Sequence, residues 1–228
     1  VFVGENAHFD YYKLESTNAK SVSLSSFVLK QKKNSNVLIN DMTLQNGFSR
    51  NNISVDLDGE GAELTLCGMV IGDGEQHTDN HTVVNHNVPN CVSKELFKYV
   101  LNDASKGAFS GKVFVAKDAQ KTAAYQTNKN ICVGKDAKMF TEPQLEIYAD
   151  DVKCSHGAST GQMDETALFY LRSRGIPEAE AKMLLMFAFV NDVIENIRID
   201  SLQDKIKLMV EKRFRGESSL CKGCNACK

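Results

Sequence analysis

Cys154 and His156 stand two residues apart in Lys153-Cys-Ser-His-Gly157, at the end of a strand-like run that begins near Gln144. Side chains alternate across a strand, so the two would share a face and offer a soft sulfur and an imidazole to one metal. Taken alone, the pair also fits a small buried Cys beside a hydrogen-bonded His. A second grouping is Cys221-Lys-Gly-Cys224-Asn-Ala-Cys227, a C-x2-C-x2-C run with which several thiolates reach one iron–sulfur cluster or zinc. It lacks a following Cys-Pro and ends one residue before the terminus, so a frayed tail competes with a metal site. A third is His77, Asp79 and His81 in QHTDNHT, again on one strand face, with His86 on the other. That set has Zn or Fe chemistry, but a ladder of mutually satisfied polar side chains is the preferred reading.

Other chemistries lack their signatures. The sequence has no Gly-x-Ser-x-Gly, no phosphate loop ending in Lys-Ser or Lys-Thr, and no dinucleotide-binding glycine fingerprint. Asp150 and Asp151 form a carboxylate pair of the kind that cleaves polysaccharides, yet neighbours on a strand point to opposite faces, which favours a solvated corner. Cys67, Cys91 and Cys132 are isolated in strand-like context and read as small core residues.

Read on to Gly175, the segment QLEIYADDVKCSHGASTGQMDETALFYLRSRG closely resembles the signature of the SufB/SufD family of iron–sulfur cluster assembly proteins. Its Cys-Ser-His-Gly turn is similar to the SufD branch. Weaker likeness in GENAHFDYYKLE, GDGEQHTDNHT, FSGKVFV and DAQKTAAYQTNKN extends the match from Gly4 to about Phe214. The resemblance implies a right-handed parallel β-helix and a scaffold subunit that is not an enzyme on its own. It implies SufB and SufC homologues as partners, with a homodimer as the alternative state of the isolated chain. It further implies a transient iron–sulfur cluster or Fe shared with SufB, with His156 as ligand and Cys154 as sulfur relay or second ligand. Family members carry a helical N-terminal region, and this chain opens at Val1 without Met inside an apolar strand pattern, so a fragment is expected.

The elements that would position these residues differ along the chain. Up to about residue 156 the apolar residues alternate with period two, as in Ile53, Val55, Leu57; Leu64, Leu66; Val113, Val115; and Leu145, Ile147. Gly, Asn and Asp turns separate these runs, and only Cys91 to Val100 reads as a helical turn or two. Strands without intervening helices predict a sandwich, barrel or solenoid. Gly4-Glu-Asn-Ala7, Gly59-Glu-Gly-Ala62, Lys117-Asp-Ala119 and Gly134-Lys-Asp-Ala137 recur at multiples of roughly 18 to 19 residues, a solenoid-like spacing. The domains expected are thus a β-helix core, residues 1–156, and a helical domain with a Cys-rich tail, residues 157–228.

In the second part, Asp164 to Arg174 reads as a helix stopped by Gly175. A second follows Pro177, with Met183, Phe187, Val190, Ile194 and Ile197 at helical spacing, and a third begins near Ser201 with Leu202, Ile206, Met209 or Val210, and Phe214. The unbroken apolar run Met183 to Val190 must be covered on several sides, and the resemblance implies that it docks SufC.

With 228 residues, 42% hydrophobic and 25% charged, the composition is that of a soluble globular protein. A formal charge of −2 supplies no basic field for nucleic acid or an anionic membrane. No apolar run approaches the roughly 20 residues that span a bilayer. Seven cysteines, unevenly placed and with no secretory signal, favour a reducing cytoplasm. Two rival readings remain: a carbohydrate-active β-helix enzyme, weakened by the absence of Trp, and a self-contained metal or redox protein built on the tail.

Overall fold

The structure is a computed structural model, described for residues 1–216. The described residues divide into two compact units, Val1–Gln162 and Met163 onward.

The first unit is a parallel β-helix. Twelve strands run in order β1 (Phe2–Val3), β2 (His8–Ser16), β3 (Val22–Gln31), β4 (Asn36–Gln45), β5 (Phe48–Leu57) and β6 (Glu63–Gly72). They continue with β7 (His77–His86), β8 (Val92–Leu101), β9 (Lys106–Val115), β10 (Ala123–Cys132), β11 (Lys138–Ile147) and β12 (Lys153–Gly161). Odd strands stack into one six-stranded sheet and even strands into the other, so the coil has two long sides. The expected period-two residues face inward: Ile53, Val55, Leu57, Leu64, Leu66, Val113 and Val115 are buried. Leu145 is half-buried and Ile147 exposed, because they lie on the last strand of the odd sheet.

Register gives the true coil length. Phe48, His77 and Lys106 are successive partners, 29 residues apart, and the step ranges from 26 at Val22–Phe48 to 32 at Lys106–Lys138. The expected 18-to-19-residue repeat is therefore wrong. A complete coil holds two strands of nine or ten residues, and the Gly-x-x-Ala hits fall on both of its corners. What recurs is the left-handed residue before the even strands: Asn6, Asn34, Gly61, Asn90 and Lys121, with φ between 54° and 72°. Asn tolerates this conformation and stacks there, as Asn34 Nδ2 donates to Asn6 Oδ1 at 3.2 Å.

The helical reading of Cys91 to Val100 is also corrected, since Val92–Leu101 is strand β8. Leu96, Phe97 and Val100 mimic helical spacing only because both faces of β8 carry apolar residues.

The interior is not uniformly apolar. Lys13 Nζ donates to Asn51 Oδ1 at 2.6 Å and to Asp41 Oδ2 at 3.3 Å, Asn51 Nδ2 to Asn80 Oδ1 at 2.8 Å, and Asn80 Nδ2 to Tyr99 Oη at 2.7 Å. This chain crosses from one sheet to the other and offsets part of the desolvation of its members.

The second unit holds α1 (Glu165–Ser173), α2 (Glu178–Glu195) and α3 (Asp200–Phe214). Asp164 caps α1 by accepting from the backbone N–H of Thr166 and Ala167 at 2.9 and 3.0 Å, and Gly175 at φ 86° ends it. Helix α2 buries Ala181, Met183, Val190, Val193 and Ile194, while α3 buries Ile206 and Val210, leaving Met209 half-buried. The boundary expected at residue 156 falls inside β12, which runs on to Gly161 without apolar alternation to mark it.

Candidate functional site

Strand β12 is the terminal strand of the even sheet and, among the described residues, pairs only with β10. The preceding corner fixes its register: Lys121 N–H donates to Asp151 O at 2.6 Å, Asp151 N–H to Gln120 Oε1 at 2.9 Å, and Lys153 N–H to Thr122 O at 2.8 Å. Asp150 and Asp151 themselves are exposed at this corner. Ala124 is then paired with Cys154 and Gln126 with His156. Paired residues in parallel strands point the same way, so Cys154 and His156 extend two inward columns onto the last rung. Below Cys154 come Ala124, Ser93, Leu64 and Val37; below His156 come Gln126, Glu95, Leu66 and Ile39.

The two side chains meet different surroundings. Cys154 is half-buried and packs against the cluster of Val113, Val115, Ala119, Ala124 and Ala149. Burial pushes its thiol up, with a backbone hydrogen bond from Ala124 acting in the other direction. Among the described residues His156 has no strand above it, and it is exposed. A metal bound here would displace the thiol proton and take imidazole nitrogen as its second donor. Two donors make half a tetrahedral set at most, and among the described residues no three His, Cys, Asp or Glu side chains gather around one point.

Beneath His156 lies a polar rung that the sequence reading missed. Glu95 is 3% exposed; Thr82 Oγ1 donates to its Oε2 at 2.9 Å and Gln126 Nε2 at 3.3 Å. Burial drives the Glu95 carboxyl up to about 7, the two hydrogen bonds opposing the shift. The signal in the sequence is polarity at the alternate positions Ser93 and Glu95, which the helical spacing of Leu96, Phe97 and Val100 masks.

The His77, Asp79 and His81 side chains do share the outward face of β7, and His86 is buried on the other. Asp79 Oδ2 accepts from Arg50 at 2.9 Å, while its Oδ1 lies 3.2 Å from His81 Nε2 without hydrogen-bond geometry. His77 meets Phe48 edge-on at 5.1 Å. Of these contacts Arg50–Asp79 alone is a hydrogen bond, which falls short of the mutually satisfied ladder preferred from sequence. Cys67 and Cys91 are buried and Cys132 half-buried, as core residues should be. Cys221, Cys224 and Cys227 lie outside the described residues. No helix among the described residues is long and apolar enough to cross a membrane.

A two-sheet parallel β-helix, ending in a rung that presents one thiol and one imidazole and followed by a three-helix unit, defines the class. Comparison with known proteins gives the family. Residues 1–189 match the model of the SUF system FeS cluster assembly, SufBD core domain, and the chain belongs to that family. It is 35% identical over 216 residues to the iron-sulfur cluster assembly protein SufD of Escherichia coli, covering 95% of this chain and 51% of that protein. It is 32% identical over 213 residues to a SufBD family protein of Synechocystis, covering 93% of this chain and 47% of the other. Protein ABCI7, chloroplastic, of Arabidopsis thaliana is 30% identical over 210 residues, 91% of this chain and 44% of the relative. The chain thus spans about half the length of these curated relatives.

Proposed function

We propose that this protein is a SufD-like scaffold subunit, non-enzymatic by itself, that holds part of a nascent iron–sulfur cluster, or its iron, at a seam with a SufB homologue. The observation carrying this reading is the position of Cys154 and His156 on the terminal strand of the even sheet, whose outer edge meets no further strand among the described residues. An open strand edge invites pairing with another chain, and a two-donor half-site needs a second subunit to complete it. The cluster is cargo, transiently shared. His156 supplies imidazole nitrogen, and Cys154 a thiolate or a sulfur relay. The helical unit docks a SufC ATPase homologue through exposed apolar residues such as Phe169 and Leu184, which are 72% and 39% exposed. A cytoplasmic setting fits the free thiols.

The test is reconstitution of the complex with SufB and SufC homologues, comparing wild type with His156→Ala and Cys154→Ser. Iron and acid-labile sulfide per complex should fall sharply with His156→Ala, while subunit assembly and Tm change little. Normal cluster yield would remove His156 from the mechanism.

A further inference from the structure

The column that ends in His156 changes character as it approaches the open rung. Ile39 and Leu66 give way to Glu95 and then Gln126, both almost fully buried. Gln126 is 1% exposed, its Nε2 is engaged by Glu95 Oε2 at 3.3 Å, and its Oε1 is buried without a partner. Glu95 is itself pinned by Thr82 at 2.9 Å, so the Gln126 amide is held with its nitrogen toward the rung below. Room for that amide comes from the opposite sheet. At Gly111 an added Cβ would run into Gln126 Nε2 and stand 2.9 Å from its Cδ and 2.7 Å from Phe109 Cζ. The next residue of the column beyond Gln126 is His156, its direct register partner.

We infer that Gln126 is a positioning residue for His156: the Oε1 that stands unpartnered here accepts a ring N–H when the imidazole turns in over it, leaving the other ring nitrogen as the free donor for metal. The inference deepens the proposed function and rests on it for the metal. A ligating histidine needs its second nitrogen held by an acceptor to fix tautomer and ring orientation, and an amide oxygen anchored from below meets that need. Thr82, Glu95 and Gln126 thus form a stack aimed at the open rung, and Gly111 is the space that admits it.

The test uses the full chain labelled with nitrogen-15, free of metal, and reads the imidazole signals of His156, identified by their loss in His156→Ala. Wild type should show one dominant tautomer, and Gln126→Leu should give the mixed tautomers of a solvated ring. Gly111→Ala, which keeps Gln126 but crowds its amide, should shift the same signals. In the reconstituted complex, Gln126→Leu should weaken iron(II) binding about 10- to 100-fold. His156 signals unchanged in Gln126→Leu would overturn the inference, even if His156→Ala abolishes iron loading. Altered signals in Gln126→Leu together with normal iron loading in His156→Ala would uphold the bond and overturn the ligand reading instead.

Discussion

The Thr82 hydroxyl donates to Glu95 Oε2 at 2.9 Å across the inside of the β-helix, tying the odd sheet to the even one. On the same two strands His86 Nε2 lies 2.8 Å from Ser93 Oγ, so β7 and β8 each enclose one titratable group, His86 and Glu95.

These two groups oppose each other as pH changes. Glu95 is raised to about 7 from an ordinary 4.5, so the folded protein keeps a proton that the unfolded chain releases, and stability is lost as pH rises from 4.5 to 7. Burial lowers His86 to about 4 from 6.5, so its stability contribution is lost as pH falls from 6.5 to 4. Each effect is on the order of 3 kcal/mol. Glu95→Gln should therefore unmask a fall in Tm below pH 6.5 and raise Tm above wild type near pH ~8. Tm–pH curves of the same shape for both proteins would contradict this.

The corners fix a second expectation. A Cβ at Gly59 would collide with the Lys33 backbone nitrogen, whereas nothing stands within 4 Å of one at Gly157. Gly59→Ala should cost about 2–3 kcal/mol in denaturant unfolding, and Gly157→Ala close to nothing. Equal midpoints for the two variants would count against tight stacking of the coils.

Tyr99 joins both sheets, since its hydroxyl accepts from Asn80 at 2.7 Å and donates to Ala108 O at 2.9 Å. Tyr99→Phe keeps the ring but strands the Asn80 amide, with an expected loss of about 1–3 kcal/mol. Calorimetry of the purified variant checks it, and an unchanged Tm would show that the interior rehydrates.

For the helical unit, Phe169→Asp and Leu184→Asp should weaken binding of a SufC homologue without lowering helix content by circular dichroism. Leu184 is chosen on α2 because it is the exposed large apolar residue on that helix among the described residues. Unchanged affinity in both variants would place docking elsewhere.

Legible in the residue pattern were a run of strands without intervening helices, three helices after it, and the shared face of Cys154 and His156. Period two, helical spacing and caps such as Asp164 and Gly175 are local signals, and local sterics decide them. The ungapped signature from Gln144 to Gly175 added the family and, through it, the choice of a parallel β-helix among the all-strand architectures. Coil length was not legible, because it depends on which corners stack, and Asn34 and Gly61 are equivalent only once the strands beside them are paired. The same holds for Glu95 and Gln126. Residues 31 apart become neighbours through the parallel register, so only tertiary structure decided that a buried carboxyl and amide stand in one column beneath His156.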